Sequence, residues 1–257
     1  MNPLGVADYG MSVWDGGCFS LDRRLEQLKN AGFEGIEMLE AATPLDALHK
    51  AAQFRKKGMS FLTCNIPGSM ESHFETAAAL GCSYVWLNCG PSLRGKVPLE
   101  TWIRRAGNFV ECAADWGLKA ALHNHLGEVV ERQDELERFL EEVPEGCLLL
   151  DTGHLAAAGG NNGEIIRKYH DRLAAVHIKD VRIKNDSISP DAENWWDRLE
   201  FCEIGAGNIR LDFKDLFDAL KEVRYDKWIL IEQDTHKKDP VEELTVSRKK
   251  ILHYMDV

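Results

Sequence analysis

Four short apolar segments of the chain carry side chains that can bind a metal ion or transfer a proton. They are ALHNH with His123 and His125, LLLDTGH with Asp151 and His154, AAVHIKD with His177 and Lys179, and WILIEQD with Glu232 and Asp234. Strands of an all-parallel sheet are buried on both faces, so an imidazole or a carboxylate at the end of such a strand needs a specific reason. We predict that this reason is a shared divalent metal ion, bound by His123, Asp151, His177 and Glu232.

The predicted ligands limit the kinds of metal that the site can hold. Imidazole and carboxylate groups together suit Mn, Co, Fe or Zn better than Ca. Mn or Co is the favoured ion in this prediction, and Fe, Zn or Mg is the alternative. A single histidine at a strand end is more often a hydrogen-bonded structural residue. Four such groups at the ends of four consecutive predicted strands favour a metal site instead.

Other side chains near the predicted metal site are candidates for catalysis and substrate binding. Glu232 is the candidate base, and His154 or Lys179 is the candidate acid. Each acid has a structural alternative, because His154 could orient Asp151 and Lys179 could form an ion pair with a neighbouring carboxylate. The predicted substrate-binding residues are Glu37, His125, Arg182, Trp195 and Trp196. The two tryptophans could stack on a sugar ring or anchor their loop to the rest of the fold.

Apolar runs alternate with segments of helical periodicity along the whole chain, which is typical of parallel β-α-β units. The predicted strands are 4–13, 35–39, 60–66, 84–90, 119–125, 147–154, 173–180 and 228–234. The predicted helices are 21–31, 44–57, 71–80, 99–116, 133–142, 163–171, 213–223 and 241–254. Eight strands that alternate with eight helices predict an α/β fold with a single (β/α)8 TIM barrel over residues 1–257. The carboxyl ends of its strands meet at one face, which would bring the four metal ligands together.

One connection, at about 181–212, is far longer than a usual loop between a strand and a helix. At the carboxyl face of a barrel, such a loop can act as a lid or as one wall of a substrate pocket. We therefore predict that this segment lies over the active-site face.

Composition argues against several classes of partner. The chain has 257 residues, 44% hydrophobic content and a formal net charge of -11, which disfavours nucleic acid because phosphate binding needs clustered Lys and Arg. No apolar run approaches the ~20 residues of a membrane helix, and the N-terminus lacks the features of a signal peptide. The seven cysteines include no C-x-x-C pair, which indicates reduced thiols. We expect a cytoplasmic protein that binds a small-molecule sugar or polyol, contacts no nucleic acid or membrane, and could form a homo-oligomer.

Five strings of the sequence carry a resemblance to a known family: HNHLGEVVE, LLLDTGHLAAAGG, VHIKDVR, GAGNIRLDF and LIEQD. They resemble the xylose-isomerase-like barrel superfamily of sugar isomerases, epimerases and dehydratases, and within it the inosose (2-keto-myo-inositol) dehydratases. The resemblance implies a divalent metal with four ligands, which correspond here to His123, Asp151, His177 and Glu232. The sequence departs from the epimerases at His123, where those enzymes have a glutamate that serves as one of two bases. This departure argues against a two-base epimerase.

The function that the resemblance implies is a metal-dependent enzyme that acts on a keto-sugar or keto-polyol through an enolate. The metal would stabilise the enolate that forms when a base removes the α-proton, and loss of water is the favoured outcome. A sugar isomerase or epimerase, or a keto-glycoside lyase of the same superfamily, is the alternative. A non-catalytic sugar-binding barrel and a nuclease of the endonuclease IV type are remote alternatives. The net charge of -11 counts against the nuclease.

Overall fold

The computed structural model describes residues 2–11, 19–90, 92–189, 192, 194–209 and 211–256. Eight parallel strands form one sheet: β1 Leu4–Ala7, β2 Gly35–Glu40, β3 Ser60–Asn65, β4 Val85–Trp86, β5 Ala120–His123, β6 Cys147–Asp151, β7 Leu173–Ile178 and β10 Ile229–Glu232. Their order in the sheet is β3, β2, β1, β10, β7, β6, β5, β4, and β8 Asp180–Ile183 pairs separately with β9 Leu199–Cys202. Between β3 and β4, Ser83 N donates a hydrogen bond to Leu62 O at 2.7 Å, so the sheet nearly closes on itself. The predicted TIM barrel is confirmed.

Helices cover the outside of this sheet. The described α-helices are α1 Leu21–Asn30, α2 Pro44–Lys57, α3 Met70–Leu80, α4 Leu99–Ala114, α5 Gln133–Glu142, α6 Thr152–Ala157, α7 Asn162–Tyr169, α8 Phe213–Glu222 and α9 Pro240–Asp256. The bounds of α2 follow from its sequence, because Thr43 accepts a hydrogen bond from Asp46 N at its start and Gly58 ends it with a φ of 64°. The predicted bounds of α2 and α5 are confirmed as they stand.

Alternation along the barrel strands divides their side chains between two apolar cores. The core inside the barrel includes Leu62, Tyr84, Ala121, Leu149, Ala175 and Leu230. The larger core lies between the sheet and the helices and includes Ile36, Phe54, Leu148, Val176 and Ile231. Each predicted metal ligand stands two residues after a member of the interior core, so it points into the barrel near its carboxyl end.

Several strand ends differ from the prediction. β6 ends at Asp151, whose side chain caps α6 by accepting a hydrogen bond from His154 N at 2.8 Å. His154 therefore lies on a helix and not at a strand end, because the cap starts α6 at once. β7 ends at Ile178, and Asp180 already belongs to the next strand. β1 and β4 are shorter than predicted, and positions 12 and 13 of the first predicted strand lie outside the described residues.

The long connection at about 181–212 contains regular structure of its own. β8 and β9 form an antiparallel hairpin whose register runs from Asp180 opposite Cys202 to Ile183 opposite Leu199. The Asp180 carboxylate accepts hydrogen bonds from Gly205 N at 2.7 Å and Gly207 N at 3.0 Å. These bonds connect the chain that follows β9 to the start of β8.

The described helices include none that is long and apolar enough to cross a lipid bilayer. The cysteines that the structure describes are free thiols: Cys64, Cys82, Cys89, Cys112, Cys147 and Cys202.

Candidate metal centre and active-site cavity

The structure brings the four predicted metal ligands together inside the carboxyl end of the barrel. One atom from each of His123, Asp151, His177 and Glu232 lies within 4.8 Å of the others. These side chains extend from β5, β6, β7 and β10, which are consecutive neighbours in the sheet. His123 Nε2 is 3.4 Å from Asp151 Oδ2, and His177 Nδ1 is 2.7 Å from Glu232 Oε2.

Two observations indicate that this cluster suits a divalent cation. His123 Nε2 and Asp151 Oδ2 are buried and have no hydrogen-bond partner among the described residues. Buried polar atoms are normally paired, since leaving one unpaired costs about 1–3 kcal/mol. Two imidazoles and two carboxylates also form a donor set that suits first-row divalent metals. The residues present therefore fit a divalent metal ion.

Glu37 of β2 holds His177 in the orientation that metal binding needs. Its carboxylate accepts hydrogen bonds from His177 Nε2 at 2.9 Å, Tyr84 OH at 2.6 Å and Trp86 Nε1 at 3.0 Å. Because an ionised carboxylate can only accept, Nε2 of His177 carries a proton and Nδ1 faces the other ligands. Burial opposes ionisation of Glu37, but the neighbouring His177 lowers the pKa of this carboxyl below its ordinary value.

Burial and mutual attraction set the charges of the cluster in the absence of a metal. Burial disfavours the charged form of His177, yet the carboxylates of Glu37 and Glu232 raise its pKa well above the ordinary value. Burial also opposes ionisation of Asp151, but the positive charge of Lys179 lowers the pKa of this carboxyl well below its usual range. Burial raises the pKa of Glu232 in spite of the nearby ammonium group. Metal binding would therefore displace a proton from His177 Nδ1.

Lys179 is buried against three carboxylates of the site. Its Nζ lies 3.0 Å from Glu232 Oε2, 3.3 Å from Asp151 Oδ2 and 3.0 Å from Asp234 Oδ2. Burial acts against a charge on this group, but the carboxylates, Asp151 first, raise the pKa of Lys179 above its ordinary value. The ammonium group stays charged and offsets part of the negative charge around it.

The imidazole of His154, on α6, is hydrogen-bonded to Lys179 and lies 3.9 Å from Asp151 Oδ2 of the cluster. Its Nε2 lies 3.0 Å from Lys179 Nζ, and because the ammonium group can only donate, this ring nitrogen is the acceptor. Burial lowers the pKa of His154 well below its ordinary value, so the ring is neutral. Its ring centre lies 3.9 Å from that of His125 and 5.4 Å from that of Phe201.

A cavity of about 810 Å³ adjoins the cluster. His123, Glu232, Asp234, His125 and Trp196 all line it. The Nδ1 atom of His125 donates to the backbone carbonyl of the next residue at 2.7 Å, which leaves Nε2 as an acceptor. Burial lowers the pKa of His125 to about 4, so the ring is neutral near pH 7.

Three of the predicted substrate-binding residues are not among the described residues that line the cavity. Trp195 stacks on Trp196, with ring centres 4.0 Å apart, and packs against the apolar cluster that includes Leu126, which follows β5. Arg182 donates to Ala206 O at 2.5 Å, within the same connection. Glu37 lies behind His177. Direct contacts of these three residues with a substrate stay predictions.

Several side chains of the site were not predicted from the sequence. Tyr84 and Trp86 donate the hydrogen bonds to the β2 carboxylate, and Trp86 also stacks on an imidazole of the cluster, with ring centres 4.8 Å apart. Asn124 joins β5 to β6, because its amide accepts from Asp151 N at 2.9 Å and donates to Asp151 O at 3.0 Å. Asp234, which the sequence analysis names beside Glu232 but does not assign to catalysis or substrate binding, lines the cavity.

Known proteins resemble the chain in sequence and in fold. A family model described as the xylose isomerase-like TIM barrel matches residues 68–252. The chain belongs to this family. This family member is 34% identical to the inosose dehydratase of Clostridium beijerinckii, over 90% of the chain and 89% of that relative. It is 32% identical to the inosose dehydratase of Clostridium botulinum (strain Eklund 17B), over the same shares of both chains.

Solved structures share the fold of this family member at lower sequence identity. An L-ribulose 3-epimerase superposes with a TM-score of 0.73 at 18% identity, over 100% of this chain and 95% of that one. The structure of the IOLI protein with a bound zinc atom superposes with a TM-score of 0.71 at 19% identity, over 100% and 98% of the two chains. These likenesses show the barrel, and the family and fold predicted from the sequence are confirmed.

Proposed function

We propose that this xylose isomerase-like TIM barrel protein is a divalent-metal-dependent dehydratase that removes water from a neutral keto-sugar or keto-polyol. The chain is an enzyme of the lyase or isomerase class, as its relatives named inosose dehydratase indicate. The observation that carries the proposal is the cluster of four ligand groups beside a cavity, with a buried ammonium group against it. The solved neighbour with a bound zinc atom supports a divalent metal as the cofactor.

Four residues would hold the metal in this proposal: His123, Asp151, His177 and Glu232. A bound divalent ion supplies Lewis acidity, which polarises a carbonyl group and stabilises negative charge on its oxygen. Glu37 keeps Nδ1 of His177 directed at the cluster by accepting a hydrogen bond from Nε2 at 2.9 Å.

Glu232 is the proposed base. It lines the cavity, and burial raises its pKa, which brings a carboxyl group closer to the pH at which it can accept and return a proton. Removal of the proton next to the ketone of the substrate gives an enolate. The charged Nζ of Lys179 lies beside this base, 3.0 Å from Glu232 Oε2, where it would stabilise the negative charge that develops on the enolate.

Lys179 is the proposed acid, in preference to His154. His154 is neutral and accepts a hydrogen bond from Lys179, so it orients this side chain and has no proton to give at that nitrogen. Lys179 stays protonated and donates to Asp234 at 3.0 Å, and Asp234 lines the cavity. A proton of the Lys179 ammonium group passes through Asp234 to the leaving hydroxyl group, which departs as water when its C–O bond breaks and the C=C bond forms. The proton that Glu232 took from the substrate then returns to Lys179 Nζ, 3.0 Å away, and restores the ammonium group.

The charges of the cavity wall favour an unphosphorylated substrate. Glu128, Glu232 and Asp234 line the cavity, and no Lys or Arg is among the described residues of the lining. Apart from the metal ion, a phosphate group would meet three carboxylates and no Lys or Arg side chain of the described lining. A neutral sugar or polyol, recognised through its hydroxyl groups, suits this wall.

The proposal is tested by incubating the protein, loaded separately with Mn, Co or Zn, with 2-keto-myo-inositol and with unphosphorylated keto-sugars. Mass spectrometry should detect a product lighter by one water molecule, and Glu232→Gln should abolish its formation. Glu128→Gln is the matched control, because Glu128 lines the cavity but is not part of the metal cluster. A product of unchanged mass would support an isomerase or epimerase instead, and no product from any substrate would refute the proposal.

A further inference from the structure

The cavity extends through the wall of the barrel. Part of its lining is formed by Cys64 of β3 and Leu122 of β5, together with residues of α4. These side chains belong to the core between the sheet and the helices, and not to the core inside the barrel. We call this part of the cavity the outer branch and define it by Cys64, Ile66, His73, Cys89, Trp102 and Phe109.

The outer branch exists because β3 and β4 separate at their carboxyl ends. β4 consists of Val85–Trp86 only, whereas β3 continues to Asn65. The single backbone hydrogen bond between the two segments in the described part of the chain is that of Ser83 N to Leu62 O. Beyond this bond the strands are not joined, and the space inside the barrel connects with the space under α3 and α4.

The chemistry of the outer branch differs from that of the metal centre. None of its six defining residues carries a permanent charge, and four of them, Cys64, Ile66, Cys89 and Phe109, have apolar side chains. Burial lowers the pKa of His73, which keeps this imidazole neutral near pH 7. Trp102 is only 3% exposed, and its indole Nε1 is buried without a hydrogen-bond partner among the described residues. Such a donor is normally paired, so an acceptor atom on a bound group would complete the site.

The size of the cavity also favours a second bound group in the outer branch. Its volume of about 810 Å³ lies in the upper part of the range of about 300–1,000 Å³ that is usual for pockets holding drug-sized ligands. One sugar ring at the metal centre leaves the outer branch unfilled. We propose that the outer branch binds a second, neutral and largely apolar group that is attached to the sugar. The substrates would then be substituted sugars. This inference rests on the proposed function for the sugar part of the ligand and adds a separate subsite.

Binding without turnover tests the subsite. The affinities of a phenyl glycoside that carries a neutral acceptor, 4-acetylphenyl β-D-glucopyranoside, and of methyl β-D-glucopyranoside for the Mn-loaded protein are measured by calorimetry. The two probes share the sugar and differ only in the attached group. We expect the phenyl glycoside to bind about tenfold more tightly, because its ring is removed from water in the outer branch. Cys89→Phe, which fills the branch, should abolish this preference, and Trp102→Phe, which removes the Nε1 donor but keeps an aromatic ring, should reduce it several-fold.

Trp116→Phe is the matched control, because Trp116 follows α4, is 38% exposed and lies outside the cavity lining. It should bind both glycosides as the parent does. Equal affinities in the parent, no binding of either glycoside, or a preference that survives Cys89→Phe would overturn the inference. If Cys89→Phe does not fold, the Trp102→Phe result decides. Failure to dehydrate any keto-sugar would refute the proposed function but leave the binding result intact, so the two failures can be told apart.

Discussion

Replacing Glu37 by glutamine should weaken metal binding, although Glu37 is not one of the four ligands. Its Oε1 accepts from Tyr84 OH and Trp86 Nε1, and its Oε2 accepts from His177 Nε2. A glutamine amide has one oxygen and one NH₂ group. If the amide oxygen takes the place of Oε1 and accepts from Tyr84 and Trp86, the NH₂ group faces His177 Nε2. This ring nitrogen must then lose its proton in order to accept a hydrogen bond. The proton then moves to Nδ1, the nitrogen that faces the other ligands.

The size of the effect follows from the tautomer of His177. A ring nitrogen that carries a proton cannot bind a metal ion. Loss of the partner that fixes the tautomer of a ligating histidine typically weakens metal binding about 10–100-fold, or about 1.4–2.7 kcal/mol. In the opposite amide orientation, the NH₂ group faces the donors of Tyr84 and Trp86, which should cost about 1–3 kcal/mol of folding free energy. Either orientation therefore has a measurable cost.

Metal affinity and stability are measured separately. The metal-free parent and Glu37→Gln are titrated with Mn or Zn against a competing chelator, and their free energies of unfolding are measured in urea. Tyr84→Phe is the control, because it removes one donor from the Glu37 carboxylate but leaves the hydrogen bond to His177 in place. We expect a much smaller loss of metal affinity in this control. A folded Glu37→Gln protein with the metal affinity of the parent would refute the reasoning.

Three further changes test the charges of the site and of the outer branch. A metal ion present at about 100 times its Kd adds about 2.7 kcal/mol to the stability of a protein that binds it. A chelator should therefore lower the melting temperature of the metal-loaded parent but not that of Asp151→Asn, which has lost a proposed ligand. Equal shifts in calorimetry would contradict metal binding at Asp151. Lys179→Met should destabilise the metal-free protein by about 3–5 kcal/mol, because it leaves buried carboxylates unpaired, and unchanged unfolding in urea would argue against this. Burial lowers the pKa of His73 below its ordinary value of 6.5, so the unfolded chain binds the proton first and stability falls as the pH drops through 6.5. The free energy of unfolding is measured in urea at about pH 7.5 and about pH 5.5. His73→Phe should lose less stability between these pH values than the parent or the control His49→Phe, whose substituted residue is exposed. Equal losses in all three proteins would disprove this.

Most of the barrel and the convergence of the metal ligands could be predicted from the sequence, because both depend on short-range patterns. Strand residues two apart share a face, so the direction of Glu232 follows from that of Leu230 in the interior core. The helix α2 has its start and end signals, Thr43 and Gly58, within a few residues of its own ends. No contact between distant segments is needed for either prediction.

The remaining parts of the site depend on contacts that cross the fold. Tyr84 and Glu37 are 47 residues apart, and nothing in either segment predicts that they share a hydrogen bond. The prediction that His154 lies at a strand end was wrong for a local reason. Asp151 points into the cluster, as predicted, but its carboxylate also caps a helix, so α6 begins at the next residue. The hairpin of β8 and β9 pairs segments separated by a long stretch without periodicity, so its register could not be predicted.

The four ligand-bearing strands are contiguous, which divides the barrel into two halves with different tasks. β5, β6, β7 and β10 carry all four groups of the metal cluster, whereas β1, β2, β3 and β4 carry none of them. The gap that opens the outer branch lies entirely in the second half. Insertions or substitutions in the segments that follow β3 and β4 can therefore reshape the pocket while the four residues of the proposed metal centre stay in place. In a barrel of this kind, evolution can change the substrate without changing the residues that carry out the reaction.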